Sequence, residues 1–194
     1  MTTNDSTPAH GRSSLHVVPR GARATVQHYI RDLVYGANDG IITTFAVVAG
    51  VAGGALSAKA VLVVGAANLF ADGLSMGVGN YLGIRAEEGS RAQQGLPEAE
   101  ASPVKHGVAT FLAFAIAGLL PLMPYLVALP AAWVFPLSGT LTFSALFAVG
   151  AARSVFSNEA WWKTGVEMLG LGTLVAIAAY GAGALAASVA PSVF

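Results

Sequence analysis

The apolar positions along the chain fall into five long runs, at about 34–54, 60–84, 107–129, 134–152 and 164–189, separated by shorter polar stretches. A helix needs about 20 mostly apolar residues to cross a bilayer, so each run predicts a membrane span. The fold class expected is all-α: a polytopic membrane protein with five transmembrane helices per subunit. The breaks fit this division. Residues 52–58 form a tight, small-residue turn ahead of Lys59, and 85–106 is a polar linker carrying Glu87, Glu88, Arg91, Glu98, Glu100 and Lys105. Pro121 and Pro124 should kink or end the third helix. The fourth run holds Thr140, Thr142 and Ser144 as interhelical hydrogen bonders. The Trp161–Trp162 pair before the fifth span suits a membrane interface.

Residues 1–28 are polar, with Pro8, Gly11, Pro19 and Gly21 and no apolar core of signal-peptide type. They read as a disordered cytoplasmic tail with no cleaved signal, and residues 29–194 as the five-helix domain. The histidines His10, His16 and His28 in that tail could touch metal, although scattered tail histidines are usually solvated.

Composition sharpens the class. The chain is 55% hydrophobic and 10% charged, where soluble domains carry about 25% charged residues, and its mean hydropathy is +0.64. The formal net charge is zero, which gives no basic surface for nucleic acid and no driving force for peripheral attachment to lipid. The absence of cysteine excludes disulfides, thiolate zinc sites and cysteine nucleophiles. Most of the 23 glycines fall inside apolar runs, where small residues let helix backbones approach closely. Of the 10 lysines and arginines, all but Lys59 fall before span one, between spans two and three, or between spans four and five. The positive-inside rule then places the N-terminus in the cytoplasm and the C-terminus outside.

The candidate chemistry lies within the spans. In the second run Asn68, Asp72, Met76 and Asn80 recur every four residues, which puts oxygen and sulfur ligands in one stripe along a helix. In the first, Asp32, Tyr35, Asp39 and Thr43 share a face. Asp39 is deep in its span with no lysine or arginine within a turn. An intramembrane carboxylate is costly and needs a partner, water or a cation. Asn68 and Asn80 by themselves also fit a packing helix with polar interhelical contacts. Asp32, beside Arg31, is a helix-end carboxylate, half of an ion pair, or part of the site. Glu87 and Glu88 read as a solvated end of the second helix, with a metal-collecting role on the cytoplasmic side as the alternative. Glu167 stands between an interfacial position and a site role. The GxxxG pairs in spans one and two, together with the unpaired carboxylates, put these two spans at a homodimer interface.

Three stretches carry a family resemblance: Arg31-Asp32 through Asp39-Gly40, then Phe45-Ala46-Val47-Val48-Ala49-Gly50, then Ser75-Met76-Gly77-Val78-Gly79-Asn80-Tyr81-Leu82. Together they resemble the vacuolar iron transporter family, whose first span carries an RDxxxGxxDG pattern and whose second carries SMGxGxYL. The resemblance implies a homodimer of five-helix subunits with a cation path between the first two helices of each subunit, around the two-fold axis. It implies export of ferrous or related divalent ions from the cytosol in exchange for protons. Asp39 and Met76 are the path residues it carries over, with Asp32 nearer the cytosolic mouth. The chain departs from the pattern in three places. The 85–106 linker stands where full-length members have a glutamate-rich helical domain. Asn68 stands where they have a glutamate, with Asp72 one turn later. His28 stands where they tend to have an acidic residue. The chain therefore resembles the short bacterial branch, in a bacterial inner membrane.

Carboxylate, amide and thioether ligands suit Fe2+ or Mn2+, with Co2+ and Zn2+ also compatible, and the sulfur argues against Mg2+ or Ca2+. These ions would be cargo, with no permanently bound cofactor. Carboxylates in an apolar setting favour their protonated form, and metal entry displaces the protons, so one set of groups can carry metal one way and protons the other. Two other classes remain open at this level. In a non-transporting membrane scaffold the acidic residues are satisfied hydrogen bonders. An intramembrane enzyme would need a serine–histidine pair at depth or an HExxH motif, and neither is present.

Overall fold

The computed structural model describes residues 14–16, 19–156 and 159–190. The described chain is helical apart from one isolated bridge between Ser14 and Glu98. The helices are α1 (Ala22–Gly53), α2 (Ala58–Gln93), α3 (Pro103–Gly118), α4 (Ala131–Arg153) and α5 (Trp161–Val189). Ser57 caps α2 by accepting the Ala60 N–H at 3.3 Å. Pro103 opens α3, a position where a missing N–H costs nothing. After Gly118 the chain tightens into a 3-10 turn over Leu120–Leu126, bent 43° from α3, because Pro121 and Pro124 cannot donate to the helical ladder. α1, α2, α4 and α5 are each long and apolar enough to cross a membrane, and α3 meets the same measure only together with its bent continuation, which gives four spans, or five where that bent pair counts as one.

Two boundaries differ from the sequence reading. α1 begins at Ala22, so residues 22–28, expected in the disordered tail, are helical and carry α1 beyond the apolar run. Residues 14–16 are also placed, through the Leu15 N–H to the Glu98 carbonyl at 2.8 Å. The part of the expected tail at 1–13, with His10, lies outside the described residues, as do 17–18. α2 runs on to Gln93. Its 36 residues span about 54 Å, against a hydrocarbon core of about 30 Å, so Glu87 and Glu88 continue the helix past the apolar stretch.

α1 is the central helix and packs on every other helix, most extensively on α3 and α5. Glycine makes this possible. A Cβ on Gly36 would stand 2.5 Å from the Thr110 carbonyl, and one on Gly40 would run into the backbone of Phe114. At the far end of α1, a Cβ on Gly53 would strike Tyr180, and one on Gly183 of α5 would strike Gly50. α2 presents Val61, Gly65, Leu69, Gly73 and Gly77, buried at four-residue spacing, with Leu69, Gly73 and Gly77 on α3 and Gly65 on Leu122 of the 3-10 turn. Its opposite side exposes Phe70, Leu74, Val78 and Leu82. One apolar cluster joins Phe45, Val48, Leu69, Phe114 and Leu122, and a second joins Ile41, Leu146 and Met168.

This packing corrects the use expected of the small-residue pairs. Gly36, Gly40, Gly73 and Gly77 are consumed inside the subunit, against α3. Of the GxxxG pairs on α2, the Gly79–Gly83 pair opens onto empty space.

Candidate functional site

Asp39 on α1 and Asp72 on α2 lie within electrostatic range of each other. Both are half-buried. Among the described residues neither carboxylate has a hydrogen bond or a counter-charge. The nearby Thr43 hydroxyl donates to the Asp39 backbone carbonyl at 2.8 Å, leaving the carboxylate to other partners. Asn68, one turn before Asp72, holds a buried amide nitrogen with no hydrogen-bond partner. Met76, one turn after, packs against the cluster that contains Leu69 and Phe114. The stripe Asn68, Asp72, Met76 thus runs one position ahead of the glycine seam on which α2 meets α3. Each of these side chains is half-buried, at the margin of the seam. Unpaired carboxylates at membrane depth, with a thioether and an amide beside them, form a set that can bind a cation and hold protons.

Asp32 and Asn80 sit apart from this group, toward the end of the bundle where α1, α3 and α5 begin. Asp32 is 2% exposed. It accepts the Asn80 amide at 2.8 Å and lies 2.5 Å from His106 Nδ1, while Arg31 Nε is 3.9 Å away. The Asn80 amide also donates to the Thr110 hydroxyl at 2.8 Å, and its carbonyl accepts from Arg31 at 3.2 Å. Thr110 in turn donates to the His106 carbonyl at 2.9 Å. One polar network therefore ties α1, α2 and α3 together at a common level. It uses both amide hydrogen-bonding ends of Asn80, which the stripe pattern offered as a ligand.

The sequence reading missed what lies beyond Asp32. His16 and His28, expected to be solvated, are half-buried beside Glu100 of the α2–α3 connection. Their nearest ring nitrogens stand 3.2 and 3.3 Å from its two carboxylate oxygens, and His106 Nε2 is 3.0 Å from one of them. The Tyr29 ring packs against His28 and His106 at 4.7 Å. Burial pushes the Glu100 carboxyl up, but the Ser102 N–H, then His106 and His16, outweigh it and hold the group below the ordinary carboxylate range. The one sequence signal was the four-residue spacing from His28 to Asp32, which puts both on the α1 face that meets α3.

The remaining candidates divide. Glu87 is exposed and lines a pocket of about 280 Å3 with Glu88, Glu100 and His106. Glu88 accepts the backbone N–H groups of Ala99 and Glu100 at 2.9 and 3.0 Å, which folds the linker back onto the end of α2. Glu167 at the start of α5 is exposed and pairs with Arg153 at 2.7 Å, so its partner is an arginine at the bundle end rather than a member of the Asp39 group.

The described basic residues other than Lys59 all belong to this end of the bundle, as the order of the helices requires. The family model described as the VIT family matches residues 30–96 and 89–184. A protein named vacuolar iron transporter 1, from Eucalyptus grandis, is 24% identical over 217 residues, covering 82% of this chain and 87% of its own length. Vacuolar iron transporter homolog 1 from Oryza sativa subsp. japonica is 30% identical over 168 residues, covering 79% and 72% respectively. A vacuolar iron transporter from Toxoplasma gondii is 48% identical over 64 residues, a stretch that is 33% of this chain and 21% of that protein. The family match runs through α1, through the Asp72–Met76 stripe of α2 and on into α5, and it establishes that this multi-pass membrane protein belongs to the VIT family.

Proposed function

We propose that this protein transports divalent transition-metal ions, Fe2+ or Mn2+, out of the cytosol in exchange for protons. The observation that carries the reading is the pair Asp39 and Asp72, two carboxylates within electrostatic range of each other and without counter-charge among the described residues, on two helices long and apolar enough to cross a membrane. Membership of the VIT family and the names of its relatives support metal transport. Asp39, Asp72 and Met76 form the binding step, with the orphaned amide of Asn68 beside it, and Asp32 and Asn80 mark the cytosolic mouth. Carboxylates that release protons as metal enters supply the exchange. A homodimer would bring two copies of this set to a common axis and double the ligands available to one ion. The face of α2 left open by the subunit's own packing, around Gly79 and Gly83, is the surface for that contact. The basic end faces the cytosol of a bacterial inner membrane.

The test is uptake of Fe2+, Mn2+, Co2+ and Zn2+ into proteoliposomes with internal pH recorded. Asp39→Asn preserves size and hydrogen bonding but removes the charge and the exchangeable proton, so metal-driven proton movement should be lost. Met76→Leu should weaken transport of the softer ions more than of Mn2+. Wild-type rates in Asp39→Asn overturn the proposed path.

A further inference from the structure

Three segments converge on the Glu100 carboxylate of a fourth. His16 from the N-terminal segment, His28 from α1 and His106 from α3 each put a ring nitrogen within 3.0–3.3 Å of Glu100. These nitrogens, His16 Nδ1, His28 Nε2 and His106 Nε2, are buried, and none is aligned for a hydrogen bond. We propose that His16, His28 and Glu100 bind a divalent transition-metal ion of the Fe2+-to-Zn2+ class, with His106 Nε2 as a further ligand, in a site separate from the Asp39 path.

The geometry fits. Ligands about 2.0–2.1 Å from a tetrahedral ion stand roughly 3.3 Å from one another. His28 Nε2 and His106 Nε2 stand 3.3 and 3.0 Å from Glu100 Oε2 while His16 Nδ1 stands 3.2 Å from Oε1, and one ligand atom from each of His16, His28 and Glu100 lies within 4.8 Å of the others. Ion pairing alone satisfies the group poorly. Asp32 beside His106 and Glu100 between the rings neutralise two imidazolium groups, and a third would leave buried positive charge uncompensated. Neutral rings would leave buried nitrogens without partners, which is unfavourable. A dication uses their lone pairs and the carboxylate together.

His106 has the surroundings of a metal-bound imidazole. Its Nδ1 donates to Asp32, which fixes the tautomer and leaves Nε2 to coordinate, as carboxylate-backed histidines do in metal sites. The carboxylate is also preset. The Ser102 N–H holds Glu100 Oε1 at 2.7 Å, and Glu88 takes the backbone N–H of Glu100. On the N-terminal segment, the Leu15 N–H bonded to Glu98 seats His16 next to it. Imidazole with carboxylate and no thiolate selects Fe2+, Co2+, Ni2+ or Zn2+ over Mg2+ and Ca2+. The bound ion would clip the N-terminal segment to the ends of α1 and α3. This assignment stands independently of the transport reading.

Co2+ titration of the full chain in detergent, read by visible absorption, tests it, with Zn2+ binding followed by calorimetry. Wild type should take up one Co2+ at this site with intensified d–d bands. The double variant His16→Gln/His28→Gln should lose those bands and weaken Zn2+ binding at least as much as an outer-shell loss, about 10–100-fold. Asp39→Asn should keep both signals. His16→Gln alone lies outside the helices, so it should lower affinity without disturbing the bundle, with helix content measured alongside. Unchanged bands and affinity in the double variant overturn the proposal. So does loss of the bands in Asp39→Asn while the double variant keeps them.

Discussion

Asn80→Leu removes the centre of the network that joins α1, α2 and α3, at nearly constant volume. Two hydrogen bonds of 2.8 Å disappear, along with the exposed one that Asn80 accepts from Arg31 at 3.2 Å, which water can replace. The one to the Asp32 carboxylate is charge-assisted and contributes about 1.5–3 kcal/mol, and the one to Thr110 about 0.5–1.5 kcal/mol. Asp32, at 2% exposure, would keep His106 but lose a donor that water has little room to replace. The expected destabilisation is about 2–4.5 kcal/mol. By the scaling for chains of this size, about 2–4 °C per kcal/mol, the melting temperature should fall by roughly 5–15 °C. The assay is thermal unfolding in detergent, followed by tryptophan fluorescence and by loss of the folded peak in size exclusion. Val63→Leu, an exposed position on the same helix away from the Gly79–Gly83 stripe, serves as control and should change little. Asn80→Asp should also destabilise, because it sets a second carboxylate against Asp32; a purely metal-ligating Asn80 would tolerate that change. A melting temperature for Asn80→Leu within about 2 °C of wild type would refute the idea that this network holds the three helices together.

Two further outcomes follow from the packing. Cysteines at Gly79 or Gly83, which open onto empty space, should cross-link between subunits in membranes. Cysteines at Gly40 or Gly77, seated on α3, should not, and the reverse pattern would exclude a dimer through the outer face of α2. Glu167→Gln breaks an exposed pair with Arg153 worth about 0–1 kcal/mol, so stability and metal uptake should both stay near wild type; loss of uptake with normal folding would place Glu167 in the path.

The sequence by itself determined the class, the helices and the family. Apolar runs of bilayer length can satisfy their backbone in lipid only as helices or closed barrels, and run length selects helices. Pro121 and Pro124 marked the break after α3, because a missing N–H acts locally. Asp39 and Asp72 stood out as candidates because an intramembrane carboxylate is anomalous wherever its partners stand.

Only the tertiary structure decided how the polar groups pair. The four-residue stripe on α2 listed Asn80 beside Met76, but Asn80 reaches Asp32 and Thr110 because α3 crosses α1 and α2 at that level. The glycine pairs were equally ambiguous. Helical spacing shows that a small face exists, but which neighbour fills it depends on how the helices are arranged in space, and α3 took most of it. The histidine cluster was the least visible. His16, His28, Glu100 and His106 come from four separate segments, with no shared periodicity, and meet only because α1 and α2 run past the apolar stretch and the linker folds back on them. A local pattern records what a helix can present to its surroundings. Long-range chain crossing settles what it meets, and that is where the polar chemistry of this protein is assembled.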